Sequence, residues 1–279
     1  MLSEGLAVQP DPLPPDFAEA ISRVRPRLDG GPAPVLFFST IGSTNDVAAA
    51  LAEGGHEGAV VIADAQTAGR GRRGRTWFSP PGAGLYVSIV LPATRAQRDR
   101  ERATALVTLA AGVALVEGVE RATGLRPDIK WPNDLLVRRR KLAGILAEAV
   151  DFGSAEGVQA VVLGYGINVS ETSYPPALRD LVTCVAVEAG TLVDRARLCA
   201  ETLAAVAERH RDLMNSRFDV ILDAWRARAP GHEGARVSWD TPVGPREGVT
   251  IGIDHMGALL VRTDQRVERL VAGEVHWHN

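Results

Sequence analysis

The densest chemistry in the chain lies in Gly69-Arg70-Gly71-Arg72-Arg73-Gly74-Arg75, where four arginines and three glycines fill seven consecutive positions. Glycine lets backbone N–H groups approach an anion closely and adopts dihedrals that other residues avoid, while each guanidinium is a planar fork of donors matched to carboxylate or phosphate oxygens. Such a loop is suited to gripping an anion. The arginines repel one another when nothing is bound, and ordering the loop costs roughly 1–2 kcal/mol per residue. The sequence therefore predicts a loop that is mobile alone and ordered by its ligand. Taken by itself the motif has two competing readings: a solvated basic turn that touches nothing, and a nucleic-acid contact.

A second group of charges surrounds the bend at Pro132-Asn133-Asp134, where Lys130, Asp134 and Lys141 come together. Opposite charges about one bend suit a nucleotide phosphate with its metal ion, although a hairpin with a charged tip, Arg138 to Arg140, explains them too. Ser43-Thr44-Asn45 precedes an alanine-rich run and reads first as a helix cap. Spare hydroxyl and amide groups at a helix N-terminus can also hydrogen-bond a small polar ring. Trp77 is by default a core anchor, yet beside a phosphate-binding loop it could cover a nucleobase. Asn168 either ends a strand or joins the site.

The elements that must position these residues follow from periodicity. Strands are expected at Val35–Phe38, Ala59–Ala63, Leu85–Leu91 and Ala160–Val169, the last interrupted by Gly164 and Gly166 where a ligand or backbone comes close. The arginine loop is thus an insertion between sheet neighbours. Asp128–Val137 reads as one strand bent at Pro132, followed across the basic turn by Lys141–Glu148. Residues 100–123 read as one long helix ending at Gly124, residues 194–215 as a second, and Val220–Ala227 as a third. After Pro230-Gly231 the pattern changes to short strands at 235–239, 247–254, 258–263 and 267–271, which suggests a small β-barrel or sandwich. Residues 1 to about 34 hold seven prolines and one short amphipathic stretch, Phe17–Val24, too little for a DNA-reading helix-turn-helix domain.

Composition narrows the class. A length of 279 residues admits one large domain and a small second one, and 46% hydrophobic residues is ordinary for a globular chain. Net charge is −3, so no overall basic field draws the protein to a duplex or an anionic membrane. Cys184 and Cys199 form no metal-binding motif and read as packing residues of a protein in a reducing compartment. No signal peptide or membrane span is evident, and a cytoplasmic location is expected.

Five motifs in order make the chain resemble the biotin protein ligases, from about Val35 to the C-terminus. They are Ser43-Thr44-Asn45, the run from Gln66 to Trp77, Lys130-Trp131-Pro132-Asn133-Asp134-Leu135, Lys141-Leu142-Ala143-Gly144-Ile145-Leu146, and Gly164-Tyr165-Gly166-Ile167-Asn168. The resemblance implies an α+β fold in which a mixed sheet carries packed helices, of the class II synthetase and biotin–lipoyl ligase kind. It also implies a small SH3-like C-terminal β-barrel, with boundaries at 1–34 for a proline-rich extension, 35–231 for a catalytic domain and 232–279 for the barrel. The implied reaction joins biotin and ATP into biotinyl-5′-AMP with loss of pyrophosphate, then passes biotin to a lysine of a biotin carboxyl carrier domain of an acyl-CoA or pyruvate carboxylase. Mg²⁺ would be held through the nucleotide phosphates, with no protein metal site.

Residue by residue, the resemblance places Ser43, Thr44, Asn45, Gln66, Arg70, Gly71, Arg72 and Lys141 around biotin. It places Arg72, Arg75, Trp77, Lys130, Asn133, Asp134, Lys141 and Asn168 around the adenylate. Lys141, Arg72 and Asp134 are the expected catalytic set: Lys141 on the biotin carboxylate and α-phosphate, Asp134 orienting the incoming lysine or a metal. The proline-rich start implies a monofunctional ligase that binds no DNA. Thr183-Cys184-Val185 stands where the family commonly shows Thr-Ser-Leu, a departure expected to touch local packing, remote from the signature motifs. The rivals are a lipoate or octanoate ligase or transferase, disfavoured by the arginine loop, and a non-enzymatic nucleic-acid-binding protein, disfavoured by the charge. A third is a degenerate member that holds biotin without transferring it, which the intact motifs disfavour.

Overall fold

Alternation along the central strands decides which face of the sheet packs and which face stays open. The computed structural model describes residues 8–28, 33–92, 98–150, 160–172 and 174–278, so residues 1–7 and 29–32 of the expected N-terminal extension lie outside the described residues. The larger sheet comprises β1 (Val35–Ile41), β2 (Val60–Gln66), β3 (Gly84–Pro92), β4 (Asp128–Lys130), β5 (Asp134–Val137), β6 (Arg140–Val150) and β7 (Ala160–Asn168). Its strand order is β1-β2-β3-β7-β6-β5-β4, with β1 and β2 parallel and every other pair antiparallel.

On β7, Leu163, Tyr165 and Ile167 point into the main core, and Leu85, Val87 and Ile89 of β3 join them. Helices α1 (Pro15–Val24), α3 (Arg100–Ala105), α4 (Val107–Thr123), α6 (Arg195–Met214) and α7 (Phe218–Arg226) supply apolar residues to that core, among them Phe17, Ala103, Leu115, Leu203 and Trp225. The opposite face is covered at one end by α2 (Thr44–Glu53), where Ala48, Leu51 and Ala52 meet Phe38, Val61 and Ala63. Beyond α2 several positions between the core residues are small: Ser88 pairs with Gly164, and Gly166 with Gly144. Period-2 alternation puts these residues on one face, and their size leaves it concave.

The C-terminal residues form β8 (Glu233–Thr241), β9 (Gly244–Ile253), β10 (Leu259–Arg262), β11 (Val267–Leu270) and β12 (Val275–Trp277), an antiparallel sheet in the order β11-β10-β9-β8-β12 with β11 and β12 at its edges. It docks through Trp131, whose indole Nε1 donates to the carbonyl of Gly257 at 3.0 Å. Gly257 has φ +81°, and a Cβ there would lie 2.9 Å from Leu109 Cδ2, so both backbone and space demand glycine.

Three expectations change. The helix expected over 100–123 is two, divided at Leu106, where ψ is −4° and the side chain packs toward Gly257. The strand expected over Asp128–Val137 is an antiparallel pair, β4 and β5, because the chain reverses at Trp131-Pro132-Asn133 and Lys130 comes opposite Asp134. Strand β12 was not anticipated, since three residues carry too little alternation to register. The second long helix is as read, with Asp194 capping the amide of Arg197 at 2.9 Å. Both cysteines are buried and free, and burial pushes the Cys199 thiol up to about 12, in keeping with packing roles.

Candidate active site

The start of α2, the arginine loop, the β4–β5–β6 hairpins, the glycine face of β7 and the strand β12 line one cleft of about 590 Å³. All fourteen site residues named from the sequence line it.

At its inner end, Ser43, Thr44 and Asn45 are 3–4% exposed. Ser43 stands at the N-cap position but its side chain makes no cap hydrogen bond, so capping alone does not explain the trio. The Thr44 amide and hydroxyl both donate to Gln66 Oε1, at 2.9 and 3.1 Å. Gln66 Nε2 in turn donates to Ser79 Oγ at 2.9 Å. Asn45 Nδ2 donates to Glu148 Oε2 at 2.6 Å, and its Oδ1 accepts from Ser88 at 2.5 Å. A Cβ on Gly164 would stand 1.9 Å from Asn45 Oδ1, so the glycine in that strand makes room for a side chain of α2. The result is a small polar pocket with oriented hydroxyl and amide groups, suited to a compact ring with both donors and acceptors.

The arginine loop is a narrow turn. The Gly71 amide donates to Arg75 O at 2.7 Å, the Trp77 amide to Gly69 O at 2.9 Å, and Arg73 is left-handed at φ +57°. Each of three guanidinia has a separate anchor. Arg70 bridges Asp46 of α2 and Glu148 of β6, at 2.9 and 2.8 Å. Arg75 forms a two-pronged pair with Glu274, one prong at 2.9 Å. Arg72 donates to the neutral Asn133 Oδ1 at 3.0 Å, and burial lowers its pKa against the opposing pull of Asp134. A half-buried guanidinium on a neutral acceptor gains most from an arriving anion.

Across the cleft, Lys141 Nζ lies 2.6 Å from Asp134 Oδ1 and 5.4 Å from the centroid of Trp77. Burial lowers the pKa of neighbouring Lys130, with Asp134 and Glu274 opposing the shift. Trp77 lies on the glycine face: a Cβ at Gly166 would come 2.4 Å from its Nε1, and one at Gly144 2.9 Å from its ring. Its buried Nε1 has no hydrogen-bond partner. Trp77 is therefore a wall of the cleft rather than a core anchor. Asn168 Nδ2 donates to the carbonyls of Thr183 and Lys141, at 3.0 and 3.3 Å, which fixes backbone instead of simply ending the strand.

Here one expectation is overturned. Thr183 is not remote from the motifs, because its amide donates to Lys141 O at 2.9 Å and the Lys141 amide donates to Leu181 O at 2.8 Å. The sequence reading also missed Glu148 and Glu274. A signal for Glu148 was at hand, since strand alternation from Gly144 puts it on the cleft face. Glu274 pairs with a residue 199 positions away, and no local pattern announces that. Among the described residues, no group of three or more His, Cys, Asp or Glu is placed to hold a metal. No helix among them is long and apolar enough to cross a membrane.

Fold and cleft together define a protein with an arginine loop at the rim of a cleft on one face of a mixed sheet, and a lysine–carboxylate pair opposite. The chain belongs to the biotin/lipoate A/B protein ligase family, whose pattern matches residues 37–168. It is 36% identical over 245 residues to the bifunctional ligase/repressor BirA of Bacillus subtilis, covering 86% of this chain and 73% of that one. It is likewise 36% identical over 238 residues to the biotin–[acetyl-CoA-carboxylase] ligase of Paracoccus denitrificans, covering 84% and 96%. Among solved structures, the biotin protein ligase from Aquifex aeolicus in complex with biotin and ATP superposes with a TM-score of 0.74 at 25% identity, over 88% of this chain and 98% of that one.

Proposed function

We propose that the chain is an ATP-dependent biotin–protein ligase that forms biotinyl-5′-AMP and transfers biotin to a lysine of a biotin carboxyl carrier domain. The observation that carries this reading is the convergence in one cleft of a polar pocket, an arginine turn and a lysine–carboxylate pair. The names of the relatives supply the substrate class: proteins called biotin–[acetyl-CoA-carboxylase] ligases, and one solved with biotin and ATP.

Adenylation brings an anionic carboxylate to an anionic α-phosphate. One cation 4 Å from such an oxygen contributes on the order of 4 kcal/mol at an effective dielectric of 20. In this reading Lys141 leaves Asp134 for the carboxylate and α-phosphate, Arg72 screens them from the loop side, and the carboxylate oxygen displaces pyrophosphate. Ser43, Thr44, Asn45 and Gln66 hold the fused rings, and Arg70 and Gly71 close over the tail. Trp77, Lys130, Asn133, Arg75 and Asn168 border the nucleotide. In transfer, the carrier amine attacks the anhydride carbonyl and AMP leaves, with Asp134 orienting the amine. No protein nucleophile takes part. Mg²⁺ would be held through the nucleotide phosphates, where it would offset their charge.

We assign residues 35–231 to the catalytic domain, 232–279 to an SH3-like domain and 1–34 to an N-terminal extension, and place the enzyme in the cytoplasm with a carboxylase as its target. The deciding experiment measures pyrophosphate release from MgATP with biotin, lipoate or octanoate in parallel. Release with biotin alone is expected. Release with lipoate or octanoate instead would move the protein to the other branch of the family, and silence with all three acids would end the ligase reading.

A further inference from the structure

We propose that Glu188 is a positioning residue for Lys141, acting through Thr183 and Arg140. Glu188 lies on α5 (Val185–Ala189), whose N-terminus follows the segment that pairs with β6. Its side chain is 1% exposed, and a carboxylate that deep is costly unless charged and neutral donors meet it. Such donors converge here. Glu188 Oε1 accepts from Thr183 Oγ1 at 2.6 Å and from Arg140 Nη2 at 2.6 Å, and Arg138 Nη1 stands 3.6 Å from Oε2.

These contacts bracket Lys141. Arg140 is its predecessor on β6, and Thr183 bonds to its carbonyl from the neighbouring segment. The other neighbour of Lys141 on the sheet is Leu136 of β5, next to a register shift between Leu135 and Leu136, and the pairing of β6 with β7 begins only at Ala143, so Lys141 sits at the end of β6 that β7 does not reach. The carboxylate ties the residue before the lysine on its own strand to the segment that bonds with the lysine from one side. Loss of that tie lets Lys141 shift along or across the sheet, and displacements near 1 Å are enough to lower a chemical step by about 100-fold. The residue touches neither substrate nor reacting atom and acts only through the backbone that carries Lys141.

The proposal rests on the ligase reading, and the test separates the two. Glu188→Ala, Glu188→Gln and Thr183→Val are assayed in biotin-dependent ATP–pyrophosphate exchange and in biotin transfer from supplied biotinyl-5′-AMP to a carrier domain. Melting temperature is followed for each. In the alanine and valine variants, exchange kcat falls about 10-fold or more, while KM for biotin and ATP and the transfer rate stay within about twofold. Glu188→Gln, which keeps an oxygen acceptor for Thr183, recovers to within about threefold of wild type. Equal losses in both half-reactions, losses that track melting temperature, or unchanged exchange would each overturn the positioning role. Should Glu188→Ala not fold, Thr183→Val and Glu188→Gln decide. A wild-type protein silent with biotin would overturn the ligase reading and this proposal with it; an active wild type beside unaffected variants would overturn this proposal alone.

Discussion

The arginine loop and the Lys141 strand face each other across one cleft, yet they hold their charges in opposite ways. The loop is fixed by side-chain pairs to four different elements: α2 and β6 through Arg70, the β4–β5 turn through Arg72, and the approach to β12 through Arg75. Such partly exposed pairs are worth about 0.2–1 kcal/mol each, which is less than the cost of ordering the residues they hold. Lys141 sits in a ladder of main-chain bonds to Leu181 and Thr183, supplemented by the Asn168 amide. On the proposed reading this is a division of labour: the amine that meets the reacting atoms is held by backbone, and the loop groups that close over the ligand are held by exchangeable side-chain contacts.

Deleting the ladder-held amine breaks this comparison most directly. Lys141→Ala should lower biotin-dependent pyrophosphate exchange by about 1,000-fold, the equivalent of about 4 kcal/mol of lost charge stabilisation, with the circular dichroism spectrum unchanged. A loss under tenfold would remove Lys141 from the chemical step. On the loop side, Arg72→Gly should slow adenylate formation less than Lys141→Ala does and shorten the half-life of bound biotinyl-5′-AMP by about tenfold, letting it label non-cognate lysines. An unchanged half-life in a quench assay would mean that the loop does not retain the intermediate.

Hydrogen exchange sharpens the contrast without mutation. Amides of residues 69–76 should gain about tenfold protection when biotin is added, while those of 141–145 stay slow throughout. Equal protection of the loop with and without ligand would contradict the mobility expected from its arginines. The smallest effect is on acid stability. Burial alone raises the pKa of Glu274, but Arg75 overcomes it and the net shift is downward from 4.5; for Asp254, burial is likewise outweighed by Arg269 and the Ala258 and Met256 amides. A carboxylate with a lowered folded-state pKa contributes stability that is complete above its unfolded value and vanishes as pH falls through the folded one. Denaturant midpoints should therefore hold steady above pH 4.5 and decline below it, and Glu274→Gln should flatten part of that decline.

Much of this site was legible in the sequence because its groups sit on local patterns. The arginine turn, the capping trio and the bend at Asn133 each lie within one short run, and the alternation of β7 announced both a buried strand and glycines where something comes close. What came close to those glycines was Asn45 and Trp77 of the chain itself. The rest depends on long-range pairing. Thr183 meets Lys141, and Glu274 meets Arg75, only after the sheet has formed, and neither partner carries a signature in its own neighbourhood. The reversal at Pro132 was mistaken for a bend because Ile129 and Trp131 before it and Leu135 to Val137 after it look the same whether the strand continues or turns back.

The seating of Trp131 against Gly257 bears on how this protein can be recombined. The indole donates to a carbonyl offered by a left-handed glycine that leaves no room beside Leu109, and a glutamate near the other end of the same C-terminal sheet closes on the arginine turn. A graft of that sheet from a relative must bring glycine at 257 and glutamate at 274, or the hybrid will inherit a cleft with one wall displaced.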